Sequence, residues 1–593
     1  MRIKDVFAAI TALAIIASLT VVMPAAASPS NSVGGSDDKV SGQQYVRYDG
    51  GIDDTIEACN NREDPEVFGG RTQNNEPFSV VDPLNPDLVL AGWNDYCSDW
   101  MGLGFSLDGG QNWTNSLVPG YPADTSAGGM ASPEYQRTNT ASDPLGAFDL
   151  HGRFYFGAIS YNGFAGPKTN ADVWVARYQT TDPASNGGYP LTYLGTTRVA
   201  SGTPSANFFG RFNDKPMLEV DRTDGAYDGN VYMCWSRFVG NGQNKIFFSR
   251  SADQGLTFSK PVAISTTPSE GTFAVQGCDI AVESDGDVHV IWRTINTNSA
   301  KSNYGIGYAR STDGGLSFSK ARTVVRFTIY LPFDTSRDCG DGPFLCPSEF
   351  VFHRVPLEPR ITSDPTGELS GVFVIYNAVD PATIVDSVTS YFSTGIPGKV
   401  GQSKIYVSRS TDDGASWTTT VVADQPTGHQ FFPDGDALAG RLAVVWQDNS
   451  LDPAYSVQVP VGNTSAAASS GLDVLHTWAA VSYDGMTFGA PMQASSVGQQ
   501  PQYEMFGSRD IPFLGDYNWI QLVELGDGSL FGYMTWTDNR DVVPGTDPRE
   551  AAQDGFDVDM CVAPLPDGTF GPNTCPNSGG LDQNIYGNTI SIP

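Results

Sequence analysis

The sequence predicts an all-β fold, a β-propeller of seven blades with six as the alternative. Three observations predict it: a short turn motif that recurs along the chain, an aromatic-rich strand that recurs beside it, and 65 glycines with 39 prolines to join many short strands. The turn reads SLDGGQNW at Ser106–Trp113, SADQGLTF at Ser251–Phe258, STDGGLSF at Ser311–Phe318 and STDDGASW at Ser410–Trp417, with a shortened SYDGMTF at Ser482–Phe488. In this spacing the Asp carboxylate accepts turn amides, the Gly supplies a positive φ, and the terminal aromatic folds beneath the turn. The strand appears seven times: VLAGWND ending at Asp95, FYFGAISYN at Asn162, VYMCWSR at Arg237, VHVIWR at Arg293, VFVIYNA at Ala378, LAVVWQD at Asp448 and FGYMTWTD at Asp538. A D-G or D-x-x-G turn precedes most copies, and before it a strand opens near a Pro or an acidic residue. Each unit thus reads strand, turn, strand, longer loop, strand, Asp turn, strand. Four-stranded units repeating every ~60–90 residues are propeller blades. The wide gap between Asp108 and Asp253 holds a unit without the turn at 143–200, and the last unit, near 511–563, lacks it too.

Charge narrows the partners. The 593 residues carry 34 Lys or Arg against 66 Asp or Glu, a net charge of −32 that repels nucleic acid. With 17% charged and 40% hydrophobic residues the chain can bury a large core, so global disorder is excluded. Arg2 and Lys4, an apolar run from Phe7 to Val22 and Pro24-Ala25-Ala26-Ala27-Ser28 read as a signal peptide over 1–27. The expectation is a secreted monomer with no membrane anchor, a flexible leader over 28–42, and a single propeller domain over 43–593. Tyr45–Tyr48 is placed to close the ring on the last blade. Eight cysteines in an exported chain read as disulfides, and neighbour pairing gives Cys59–Cys97, Cys234–Cys278, Cys339–Cys346 and Cys561–Cys575. No zinc spacing occurs and no cofactor is expected, with Asp285-Gly286-Asp287 and Asp434-Gly435-Asp436 as the calcium candidates.

The repeated S-x-D-x-G-x-[T/S]-[W/F] turn resembles the Asp-box of the sialidase (neuraminidase) superfamily, the bacterial neuraminidase repeat. NEPFSVVDPLNPDLVLAGWND, NDKPMLEVDRTDGAYDGNVYMCW and FLGDYNWIQL are similar to secreted bacterial members described as exo-α-sialidases. The resemblance covers about residues 70–563 and speaks for fold more than activity, because Asp-boxes lie at blade edges. It implies an exo-glycosidase acting on an acidic sugar of an extracellular glycan. Such an enzyme needs arginines to clamp the sugar carboxylate, a Tyr nucleophile and an Asp acid/base. The F/Y-R-I-P motif usual at the first arginine is absent, since that position reads GGRTQNNEPF. A look-alike, Phe352-His353-Arg354-Val355-Pro356, sits in mid-chain.

The openings of the inner strands carry the candidate site, because a propeller brings one opening per blade to a common axis. They read Arg71 with Glu76, Arg137 with Asp143, Arg211 with Asp214 and Lys215, Gln276 with Asp279, Arg354 with Glu358, His429 with Asp434, and Arg509 with Asp510, Asp516 and Tyr517. Arg71, Arg137, Arg211, Arg354 and Arg509 are the expected clamp, Asp214 or Glu76 the acid/base, and Tyr517 the nucleophile. Three alternatives stand beside this reading: a structural ring of Arg–carboxylate pairs, a non-catalytic propeller binding glycan or protein, and a polysaccharide lyase using His353 or His429. His151 and His289 read as structural.

Overall fold

The computed structural model describes residues 30–61, 73–162, 171–203, 210–239, 243–265, 273–296, 304–334, 337–338, 345–346, 354–388, 391–453, 455–458, 461, 475–501, 513–542 and 582–593. The expected signal peptide, Arg71, His353, Arg509, Cys339, Cys561 and Cys575 lie outside them, as does the Cys346 side chain. Among the described residues seven antiparallel sheets form blades, one for each aromatic strand of the sequence, beside three two-stranded sheets. Blade 1 runs Asn74–Asp82, Asn85–Asp95, Trp100–Ser106 and Thr114–Leu117 from inside to outside. Blades 2 to 6 repeat this order from inner strands Thr140–Phe148, Phe212–Val220, Phe273–Val282, Arg360–Ser363 and Gln430–Leu438. Blade 7 comprises Trp519–Glu524, Leu530–Asp538 and Asn584–Ile592. Each inner strand packs against the next, and that of blade 7 against that of blade 1, so the ring is closed.

Two devices hold neighbouring blades together. The first is the aromatic of the recurring strand, Trp93, Trp235, Trp292, Tyr376, Trp446 and Trp536, each at most 3% exposed. Blade 2 has Ala158 there instead. The second is the Asp turn. In the four full copies the Ser hydroxyl accepts the second-Gly-position amide (Gly110 to Ser106 2.9 Å, Gly255 to Ser251 2.8 Å, Gly315 to Ser311 2.9 Å, Gly414 to Ser410 2.9 Å). The Asp carboxylate accepts the amide four residues on, at 2.8–2.9 Å. That glycine has positive φ and lies under an aromatic ring of the preceding blade. A Cβ on Gly110 would meet Tyr533 at 2.0 Å, and one on Gly414 would meet Tyr308 at 2.5 Å. Only glycine satisfies both demands.

The ring closure differs from expectation. Ser32–Val33 and Asp38–Lys39, inside the stretch read as a flexible leader, pair with the C-terminal strand (Ser32 opposite Ser591, Asp38 opposite Gly587). Tyr45 instead bridges to Asn115 of blade 1. The physical reason is the open edge: blade 7 has only three strands from its own segment, and an unpaired edge ladder takes up any chain within reach. The third strand of blade 7 also lies beyond residue 563, where the sequence reading ended that unit.

Two disulfides form as predicted, Cys59–Cys97 and Cys234–Cys278, the latter joining the second strand of blade 3 to the inner strand of blade 4. No helix of the described residues is long and apolar enough to cross a membrane.

The closure is held by charge as well as by the ladder. Arg540 reaches Asp37 and Asp538, each at 2.7 Å and both carboxylates buried, and stacks on Tyr586 at 4.0 Å. Arg540→Met leaves both carboxylates buried without that cation and should cost about 3–5 kcal/mol. The readout is the urea midpoint of unfolding, and an unchanged midpoint would refute this clasp.

Candidate functional site

At one mouth of the central channel the inner-strand openings enclose a cavity of about 540 Å³. The backbone there is bent by a repeated device. Glu76, Asp143, Lys215 and Phe432 have φ of 55°, 58°, 49° and 52°, and Gly277 has 62°. Each sits at a register shift of its inner strand. Four of the five precede a proline: Pro77, Pro144, Pro216 and Pro433. Proline cannot donate to the ladder, so within a strand it settles at a bulge, and the bulge re-aims the side chain before it. Blades 1, 2 and 3 thereby turn Glu76, Asp143 and Lys215 into the cavity, where Asp214, Glu358 and Asp516 join them. Two glycines leave room. A Cβ on Gly277 would lie 1.9 Å from Glu358 Oε2, and one on Gly515 2.7 Å from Glu76 Cγ.

Lys215 is the centre of the charge network. Its ammonium pairs with Asp516 and lies 3.9 Å from Glu76 Oε1, while Arg354 Nη2 donates to the other oxygen of Asp516 at 2.6 Å. Burial works against ionised Asp516, but Arg354 and Lys215 outweigh it and hold the carboxyl well below its usual range. Glu76 goes the other way. Burial pushes it up to about 8, Lys215 opposing and Asp516 and Asp143 adding to the rise. Asp143 is raised to about 6 and Asp214 is raised as well, both chiefly by burial against the pull of Lys215. Asn94 fixes Glu76: its Oδ1 accepts the Asp143 amide at 3.1 Å, so its Nδ2 donates to Glu76 Oε2 at 2.7 Å. Gln276 donates to Asp214 Oδ2 at 2.7 Å and accepts from Arg293 at 2.8 Å.

The expected residues divide. Glu76, Asp214 and Arg354 line the cavity. Tyr517 does not: it is 3% exposed, lies beneath Lys215 and Arg360 at 5.7 and 5.1 Å from its ring, and burial lifts its phenol well above the usual value. That is the reverse of an activated nucleophile. Arg137 pairs with Asp172 within blade 2, and Arg211 is exposed at the start of blade 3; neither lines the cavity. His429 is buried between Tyr330 and Tyr455, its ring pushed down to about 3, and it too is absent from the lining. Asp434 and Asp436 accept the Ile520 and Leu522 amides of blade 7, each at 2.8 Å, as ties between blades. Among the described residues the only group spaced for a metal is Asp95 with the disulfide-bonded Cys59 and Cys97.

Sequence reasoning passed over Lys215, Asp143, Glu358 and Asp516 as site residues although it named them at the openings. The X-Pro pairs were the available signal. Asn94 and Arg293, each directly after a recurring Trp, were marked only by that repeat.

No protein-family model matches this chain, and no curated protein matches it. Solved structures with a similar chain path include an α-L-arabinanase of Penicillium chrysogenum complexed with arabinobiose, at 14% identity over 63% of this chain and 88% of that one, TM-score 0.38. A Hadza microbial sialidase matches at 12% identity over 76% and 72%, TM-score 0.36. An ulvan lyase of polysaccharide lyase family 25 matches at 10% identity over 78% and 92%, TM-score 0.38. No residue role is carried over from them.

The raised Glu76 gives a stability test. The folded chain keeps this proton up to about 8, whereas the unfolded chain loses it near 4.5. The stabilisation it confers is therefore complete below about 4.5 and lost as pH rises through about 8. Glu76→Gln should gain stability relative to wild type between pH ~5 and ~8, at about 1.4 kcal/mol per pH unit in the steepest part. Parallel denaturation curves for the two proteins across that range would overturn the assignment.

Proposed function

We propose that the protein is a secreted glycan-active hydrolase working at the channel-mouth cavity. Glu76 is its general acid and Asp214 its base or nucleophile, with Asp143 beside them. The observation that carries this reading is the spread of ionisation in one open cavity: Asp516 held low, Asp143 near 6 and Glu76 near 8. Carboxyl groups driven apart by their surroundings are how one site keeps an acid and a base ready at the same pH. Glycoside cleavage by two carboxyl groups needs that pairing. The two disulfides support an oxidising, exported location. The Asp-box resemblance favours an exo-acting glycosidase. With Tyr517 buried, the carboxylates of the cavity take the part given to that phenol.

Fluorogenic glycosides test the reading. Wild type should show a bell-shaped kcat/KM with its alkaline limb near 8 and its acid limb displaced above the ordinary range of an aspartate. Glu76→Gln should lose about 10²–10⁴-fold in rate and its alkaline limb, and Asp214→Asn should lose a similar factor. Full activity in both variants would refute these roles.

A further inference from the structure

We infer, taking the hydrolase reading of this cavity as given, that its sugar is uncharged rather than anionic. The cations that line the cavity are engaged by the protein itself. Lys215 and Arg354 close on the two oxygens of Asp516. Arg293 donates to Gln276, which passes an amide hydrogen on to Asp214. Arg354 also lies flat on Phe513, 4.5 Å from the ring centroid. A carboxylate clamp needs forked guanidinium donors turned to the ligand, and here Arg354 and Arg293 each commit Nη2 to the protein, to Asp516 and to Gln276.

What faces the cavity instead is oxygen. Glu76, Asp143, Asp214, Glu358 and Asp516 all line it. Glu76 keeps its proton and can donate one hydrogen bond, while ionised carboxylates only accept, so the group as a whole matches sugar hydroxyls and disfavours a sugar carboxylate. Apolar side chains line it as well: Ile295, Tyr304, Ile329, Leu331, Phe333 and Leu357, from blade 4 and the segment leading into blade 5. A lining that combines apolar side chains with acceptors suits a ring that carries both C–H faces and hydroxyls. A neutral pentose or hexose has that shape.

The test is calorimetric titration of Glu76→Gln in its full mature chain. The probes are methyl glycosides of neutral pentoses and hexoses, with N-acetylneuraminic acid and glucuronic acid beside them. A parallel hydrolysis panel uses the matching fluorogenic glycosides on wild type. The expected result is binding of at least one neutral sugar about tenfold or more tighter than either acid, a difference of about 1.4 kcal/mol. Tighter binding of an acid, or no binding of any neutral sugar, would overturn the inference. Hydrolysis confined to a sialoside or glucuronide would overturn it while leaving the hydrolase reading intact. Binding of neutral sugars with no hydrolysis would uphold the charge preference and sink the hydrolase reading.

Discussion

Lys215 meets Asp516 across the channel mouth, joining the third blade to the seventh over 301 positions of sequence. The electrostatics of the cavity are arranged around that contact. Asp516 takes both nearby cations and stays ionised, and its negative charge offsets part of the pull of Lys215 on Glu76. Burial then decides the Glu76 proton, and Asp516 and Asp143 reinforce it. Asp143, reached by the backbone amide of Lys215 at 3.0 Å, falls between the two. One ion pair thus sorts a group of carboxyls that would share similar acidities in water.

That contact depends in turn on the ring. The mouth has fixed dimensions only if every blade keeps its angle to the next, and this is set far from the mouth. Aromatic side chains fill the space between sheets, and the Asp turns seat their glycines beneath a ring of the preceding blade. The N-terminal strands complete blade 7, so the first and last parts of the chain lie in one sheet. The turn motif and the site therefore sit at separate places in each blade. The turn says how blades assemble, and the inner-strand opening says what the mouth can do.

Much of the fold was legible because its signals are local. An Asp turn or an aromatic strand is written in eight or nine consecutive residues, and seven such strands gave seven blades. Two of the neighbour cysteine pairs formed for the same reason. The carboxylates Glu76 and Asp214 were legible from position alone. Of the arginine clamp, Arg354 lines the cavity, Arg71 and Arg509 lie outside the described residues, and Arg137 and Arg211 sit elsewhere because closeness in sequence was read as closeness in space. Arg137 lies six residues before Asp143, a reach of ~20 Å in extended chain, and it turns aside to Asp172. Strand side chains alternate between faces; Tyr517 lies two residues before the strand Trp519–Glu524, and its ring is buried beneath Lys215 and Arg360 while Asp516 lines the cavity. Asp214 and Lys215 escape that rule because the bulge at Lys215 resets the pleat. The closing strands were hidden by small polar residues whose partner lies more than 500 positions away.

The central claim is that Glu76 carries a proton at neutral pH. Infrared difference spectroscopy of wild type against Glu76→Gln reads it directly through the carbonyl stretch of a protonated carboxylic acid. The account predicts such a band, assigned to Glu76, present at pH 7 and fading as pH passes through about 8. Its absence at pH 7, with titration near the ordinary value of a glutamate, would contradict the account.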